Sequence, residues 1–226
     1  MIRGFYAAGS GLIGQQKALD NAANNLANMN TTGYKKQRVS FSELLYNNVK
    51  EAQTGNGVRT AGVETTHTPG GYRETGNPLD FAVVSDGFFG VLTRDGSVKY
   101  TRDGSFHLSS EADGSYLTTA DGDYVLDRNS RKIILDGEDI TDRIGVFSFA
   151  NSGGLTREGN NMFSPSENSG GRRVTDGTVV NGYLESSNVE LAGEMSDLIS
   201  IQKSFQFNAK MLQTADEIEN IINSLR

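Results

Sequence analysis

Large apolar residues recur every seventh position at both ends of this chain, whereas its middle alternates with a period of two. Phe5, Leu12, Leu19 and Leu26 form the first row; Leu191, Leu198, Phe205 and Leu212 form the second. A seven-residue repeat with smaller residues between is the seam of a helix that packs lengthwise against another helix. The rows predict an N-terminal assembly helix within residues 1–30 and a C-terminal one within 187–226, paired as a coiled coil. Ala8, Ala18, Ala22, Ala23 and Ala27 favour the first helix and leave room for a neighbour. Gly4, Gly9, Gly11 and Gly14 weaken it by about 0.8–1.0 kcal/mol each, against roughly 1.5–3 kcal/mol for burying one leucine. That helix is expected to be marginal alone and stable when packed. It ends in Asn28-Met29-Asn30-Thr31-Thr32-Gly33, a polar turn whose glycine accepts positive φ. Ser187-Asn188-Val189-Glu190 reads as a capping box opening the second helix, which runs without proline to about Leu225. At about 1.5 Å per residue it is too long for a small domain to cover.

Residues 31–57 read as a linker segment. It carries a basic patch, Lys35-Lys36-Gln37-Arg38, and a short apolar stretch of undefined type, Val39, Phe41, Leu44, Leu45 and Tyr46; residues 50–57 are polar and predict a loop or hinge. Residues 58–186 read as a β-domain. Asp-Gly pairs begin at Asp86, Asp95, Asp103, Asp113, Asp121, Asp136 and Asp176, and Asn181-Gly182 follows. Such pairs favour tight hairpin turns between antiparallel strands. Between them lie β-prone stretches at residues 79–84, 88–92, 99–101, 124–126, 132–135 and 144–149. Residues 150–177, rich in Ser, Gly, Asn and Arg, read as long surface loops. The expected class is α+β, with paired terminal helices and a hairpin-rich antiparallel sheet between them.

Composition narrows the function. The chain has 226 residues, no cysteine and a net charge of −7. The missing cysteine excludes a disulfide framework and thiolate metal sites. The acidic balance argues against nucleic acid and against an anionic membrane surface. Charge is divided between the ends. Arg3, Lys17, Lys35, Lys36 and Arg38 face only Asp20 in the first 38 residues, whereas residues 185–226 hold seven acidic side chains against Lys203, Lys210 and Arg226. Opposite charge suits pairing of the two helices, although exposed pairs contribute only about 0–1 kcal/mol each. No apolar run approaches the roughly 20 residues of a membrane span. The N-terminus lacks the order of a cleaved signal peptide. The chain is therefore expected in the cytoplasm, or outside it by a route that reads no cleaved signal.

Candidate chemistry is sparse. Gly9-Ser10-Gly11-Leu12-Ile13-Gly14 matches a dinucleotide-binding fingerprint, but that motif needs a preceding strand and here lies in a helical pattern. Asp121-Gly122-Asp123 and Asp136-Gly137-Glu138-Asp139 do not reproduce a calcium loop, and turn chemistry accounts for them. His67 and His107 lie in no zinc pattern, and no G-x-S-x-G elbow is present. No catalytic, cofactor or metal residues are assigned. Asn24, Asn25 and Asn28 stand out instead: three asparagines in a turn and a half are an odd choice for a plain helix surface, and they suggest hydrogen bonding across a helix or subunit contact.

At these asparagines the chain resembles the bacterial flagellar rod and hook protein family. Residues Asn24 to Lys35 are similar to its N-terminal signature, roughly N-N-L-A-N-x-x-T-x-G-[FY]-[KR]. Glu185-Ser186-Ser187-Asn188-Val189-Glu190-Leu191 resembles the segment before its last helix, and Gln202 to Lys210 resembles its Q-R-x-[YF]-x-x-N-[AS]-K. Asp86-Gly87-Phe88-Phe89 and Tyr100-Thr101-Arg102-Asp103-Gly104-Ser105-Phe106 resemble β-domain motifs of its rod members. The resemblance implies a structural subunit of a hollow helical drive shaft, with terminal helices coiled together along the inner tube and the β-domain facing outward. It implies export in an unfolded state through the flagellar type III apparatus, with no cleaved signal, and residence in the basal body outside the cytoplasmic membrane. The implied partners are copies of itself and other rod and hook proteins, with no nucleic acid and no membrane insertion. The implied assembly residues are Phe5, Leu12, Leu19, Asn24, Asn25, Leu26, Asn28, Gly33, Asn188, Leu191, Leu198, Phe205 and Leu212. Met1-Ile2-Arg3-Gly4 and the Tyr100 to Phe106 stretch point to the distal rod. The short length and abbreviated regions at 41–58 and 126–144 leave a proximal rod subunit as the alternative. An exported β-domain that binds or hydrolyses peptidoglycan is the reading from another class.

Overall fold

The computed structural model describes residues 2–44, 47–49, 52–111, 114–135 and 140–225. Leu45, Tyr46 and the Asp-Gly pair at Asp136 lie outside the described residues, as does Asp113 of its pair. The fold is α+β: two terminal helices and antiparallel strands between them. The chain forms two compact units, each discontinuous in sequence. The first comprises Met1–Ala27, Gln37–Thr65 and Glu190–Arg226; the second comprises Asn28–Lys36 and Thr66–Val189.

The first unit contains α1 (Ile2–Ala27), β1 (Gln37–Glu43), β2 (Asn47–Val49), β3 (Ala52–Thr54), β4 (Val58–Thr65) and α2 (Leu191–Ser224). The segment expected to be a linker therefore contains strands. Strand β1 pairs antiparallel with β4 from Gln37↔Thr65 to Glu43↔Val58, with an irregularity at Ser40/Phe41, and β2 pairs with β3. Helix α1 packs against α2 and against the β1–β4 pair. Two of its glycines are points of close approach. A Cβ on Gly11 would lie 2.9 Å from Asn208 Nδ2, and one on Gly14 would lie 2.9 Å from Phe41 Cε1. The residues that lower helix propensity thus admit α2 and β1. Among the described residues, Ala22 is the one fully buried apolar side chain of this unit.

Helix α2 starts at Leu191, not at Ser187, and Glu190 at its N-terminus makes no side-chain cap. The capping box does not form. Ser187 Oγ instead accepts from Val189 N at 3.2 Å, and the Asn188 side chain bonds elsewhere, which holds residues 186–189 out of helical geometry.

The second unit contains β5 (Tyr72–Glu74), β6 (Phe81–Val83), β7 (Phe88–Leu92), β8 (Val98–Thr101), β9 (His107–Glu111), β10 (Gly114–Thr118), β11 (Tyr124–Val125) and β12 (Val146–Phe149). It continues with β13 (Thr156–Arg157), β14 (Met162–Ser164), β15 (Arg172–Val174), β16 (Val179–Asn181) and β17 (Tyr183–Glu185). Its main sheet runs β13-β14-β8-β7-β11-β10-β9, and β12 joins β7 to β15; β16 pairs with β6, and β17 with β5. All these pairs are antiparallel. Strand β7 serves both faces of the sheet because successive side chains point oppositely. Phe89 joins a core with Phe81, Val83, Phe106, Leu117, Val125, Ile144 and Val146, while Phe88 joins Tyr100, Phe147, Phe149, Leu155 and Phe163.

Asp95-Gly96 and Asp121-Gly122 close the expected hairpins, β7–β8 and β10–β11. The pairs at Asp86, Asp103 and Asp176 turn corners between strands that do not pair with each other. Residues 132–135 make isolated bridges rather than a strand. Residues 150–177 are not simply loops: they supply β13, β14 and β15 and bury Leu155, Met162 and Phe163. Phe163→Ala is expected to destabilise the second unit by about 3–5 kcal/mol, as deletion of a buried aromatic does. Leu108→Ala, at an exposed position, is expected to cost under about 0.5 kcal/mol. Urea denaturation of the two variants checks the contrast.

Candidate assembly site

In the first unit the heptad residues are only partly covered. Leu12, Leu19 and Leu26 of α1 and Leu198 and Leu212 of α2 are half-buried; Phe5, Leu191 and Phe205 are exposed. Leu19 and Phe205 come together in a notch lined also by Gln15, Gln16, Ile201, Gln202 and Gln206. Beyond the seam, α2 leaves Met195, Ile199, Phe207 (71% exposed), Met211, Ile218, Ile221, Ile222 and Leu225 (82% exposed) open to solvent. Scattered exposed apolar residues are ordinary, but this many on one helix is more than a typical surface shows.

The asparagines separate by role. Asn25 is 1% exposed. Its Oδ1 accepts from Gln37 N at 3.0 Å, and its Nδ2 donates to Gln37 O at 2.8 Å and to Glu194 Oε2 at 3.2 Å. The side-chain amide thereby acts as an extra strand residue for β1 while holding a buried carboxylate of α2. Asn24 is exposed, beside a groove lined by Lys17, Asp20, Gln37 and Thr60. Asn28 belongs to the second unit, where its side chain and carbonyl accept from Thr31 Oγ1 at 3.2 Å and Thr31 N at 3.1 Å as the chain turns out of α1.

In the second unit the turn after α1 meets the segment that precedes α2. Gly33 adopts φ +66°, and its N–H donates to Glu185 O at 2.8 Å. A Cβ there would lie 2.5 Å from Asp103 N, so only glycine fits. Tyr34 is buried, with the Arg157 guanidinium 4.4 Å from its ring centre. Asn188 joins three stretches of chain: its Oδ1 accepts from Lys36 N at 2.6 Å, and its Nδ2 donates to Thr66 O at 2.9 Å and Thr68 O at 3.1 Å.

Beneath these contacts lies an ionic cluster that the sequence reading did not anticipate. Lys35 Nζ lies 2.6 Å from Glu185 Oε1, and Arg102 Nη1 lies 3.1 Å from Glu185 Oε2; all three side chains are 2% exposed or less. Glu185 Oε1 also accepts from Gly70 N at 2.9 Å. Lys35 donates to Thr68 O at 2.8 Å, and Arg102 donates to the carbonyls of Val83 and Ser85. Burial outweighs the attraction of Glu185 and pulls the Lys35 ammonium below its ordinary range. His67 sits edge-on between Phe88 and Phe163, with no hydrogen-bond partner for either ring nitrogen. Burial, reinforced by Lys35 and Arg102, lowers its pKa to about 4. The signal for the cluster was present in the sequence, because Lys35, Arg102 and Glu185 lie in three different signature segments. Their pairing was not, since 150 residues separate Lys35 from Glu185.

The Gly9–Gly14 match lies inside α1. Among the described residues no group of three or more His, Asp or Glu is arranged to hold a metal ion, and no helix is long and apolar enough to cross a membrane.

Three family models match successive parts of the chain: flagella basal body rod protein at residues 5–35, flagellar hook protein FlgE/F/G D1 domain at 82–153, and flagellar basal body rod FlgEFG protein C-terminal at 180–225. The three ionic residues fall one in each. The chain is 36% identical to the flagellar basal-body rod protein FlgG of Agrobacterium fabrum over 98% of both chains, and 33% identical to FlgG of Bacillus subtilis over the whole of both. It is 29% identical, also over both full lengths, to the flagellar hook-basal body complex protein FlhP of Bacillus subtilis.

Glu185→Gln leaves two buried cations without their counter-charge and is expected to cost about 3–5 kcal/mol in urea denaturation. A second expectation concerns acid. With its folded pKa near 4 against 6.5 unfolded, His67 takes up a proton more readily in the unfolded chain. Its contribution is thus intact above pH 6.5 and is lost as pH falls toward 4. His67→Phe is expected to flatten the decline in urea midpoint across that window relative to wild type; an unchanged slope would contradict the assignment.

Proposed function

The chain belongs to the flagellar basal-body rod protein family, and on that premise we propose how its parts serve a rod. It is a structural subunit of the rod, of the FlgG-like kind that favours the distal segment. The observation that carries this reading is similarity to FlgG along the full length of the chain, both terminal segments included. The family is one of structural parts rather than enzymes.

The finer reading is as follows. Helices α1 and α2 pair as a coiled coil through Phe5, Leu12, Leu19 and Leu26 on one side and Leu191, Leu198, Phe205 and Leu212 on the other. The exposed apolar residues of α2 are covered by copies of this chain or by other rod and hook proteins. The heptad spacing and half-covered seam support this. The subunit leaves the cell unfolded through the flagellar export apparatus, without a cleaved signal, and takes its place in the basal body. Among the described residues the first unit buries few apolar side chains, which supports folding upon assembly, since ordering entropy is then met when neighbours arrive.

Leu19→Asp and Leu198→Asp are expected to leave the second unit folded while blocking incorporation into basal bodies purified from cells. Incorporation at wild-type levels would sink the seam assignment. Electron cryotomography of cells with an in-frame deletion of the gene is expected to show a rod truncated short of the hook, the truncation point marking the distal segment. Full-length rods and hooks would contradict the function itself.

A further inference from the structure

We propose that the Glu185 carboxylate is a closing key for the second unit: a chain that appears N-terminus first stays unfolded through its first 184 residues and folds when Glu185 arrives. The folding order does not depend on the function proposed above; its use in export does.

The argument starts from what residues 184–188 supply. Leu184 pairs with Arg73 in the β17–β5 ladder. The Glu185 carbonyl accepts from Gly33 N, Ser186 N donates to Gly71 O, and Asn188 binds Lys36, Thr66 and Thr68. Four residues at the end of the unit, Leu184, Glu185, Ser186 and Asn188, thus engage chain spread across its beginning. Missing neutral partners would be tolerable, because exposed strand ends can turn to water. The charges cannot. Among the described residues, Glu185 is the carboxylate that pairs with Lys35 and with Arg102. Taking two cations out of water with no counter-charge is among the costliest arrangements a protein interior can hold.

Arg102 makes that cost a matter for the whole sheet. Its guanidinium lies 5.4 Å from the Phe88 ring centre and donates to Val83 O and Ser85 O. It therefore lines the wall formed by the end of β6, the start of β7 and the end of β8. Without Glu185, hydrating Arg102 means opening that wall, which exposes Phe88 and the aromatic cluster behind it. The local hairpins β7–β8 and β9–β10 need no late residue, but the layer that buries their apolar faces does. Lys35 repeats the constraint at the other side of the carboxylate, through Thr68.

Ribosomes stalled at successive codons of the full-length message, pulsed with thermolysin, test the order. Wild-type chains are expected to become protease-resistant only once Glu185 has left the exit tunnel. The triple variant Lys35→Met, Arg102→Met, Glu185→Leu has no charge waiting for a partner. It is expected to become resistant earlier, when Asn181 at the end of β16 has emerged. Resistance of wild type with Glu185 still inside overturns the proposal, as does a foldable triple variant protected no earlier than wild type. Should the triple variant fail to fold even at full length, amide exchange in full-length Glu185→Gln decides. Exchange faster by about a hundredfold at Val91, Leu117 and Val125 supports the key; acceleration confined to residues 33–36, 68–71 and 184–188 overturns it.

Discussion

One carboxylate shared by two buried cations governs how the second unit is put together. Glu185 reaches Lys35 with one oxygen and Arg102 with the other, and a backbone N–H from Gly70 shares the first. Buried ion pairs contribute little net stability, because desolvation consumes most of the Coulombic gain. Their effect lies in discrimination. The aromatic and aliphatic side chains around Phe88 and Phe89 attract each other without regard to direction, and several arrangements would bury them about equally well. The ionic cluster accepts one arrangement only, in which the turn at Gly33 and Lys35 lies against β17. Gly33 enforces the same choice sterically, since no other side chain fits beside Asp103.

The first unit obeys a different balance. It contains 26-residue and 34-residue helices, yet among the described residues its buried positions are Ala22, Gly14, Asn25 and Glu194 rather than large apolar side chains. A helix gains most of its stability from packing an apolar face, not from propensity. Four glycines in the first 14 residues of α1 subtract roughly 3–4 kcal/mol of propensity, and half-covered leucines return only part of what full burial gives. Asn25 supplies geometry, fixing β1 and the start of α2 relative to α1 through hydrogen bonds instead of bulk.

Legibility followed the range of the interactions. The two terminal helices were readable because seven-residue spacing repeats along one element, and β6, β7 and β12 were readable because their apolar residues are contiguous. The region 150–177 was misread because Leu155, Met162 and Phe163 stand singly among polar residues, so no local period betrays that they join the core. Ser187-Asn188-Val189-Glu190 has the composition of a capping box, but the sequence could not show that the Asn188 amide is engaged by Lys36, Thr66 and Thr68. The glycines of α1 were legible as a cost to the helix; that Gly11 and Gly14 admit Asn208 and Phe41 was not. The asparagines looked alike in the sequence, and the structure distinguishes buried Asn25 from exposed Asn24 by helical phase.

These two balances make the chain separable in its response to change. Substitutions at Leu12, Leu19 or Leu198 alter side chains that are already half in water, while the sheet keeps its own core. Substitutions at Lys35, Arg102 or Glu185 act on side chains that are 2% exposed or less, and with unequal cost. Removing Glu185 leaves two buried cations without a counter-charge, whereas removing Lys35 or Arg102 leaves the carboxylate with one cation. The carboxylate is therefore the member of the cluster that cannot be lost alone, and the two cations are the members whose loss leaves a neutral pair behind.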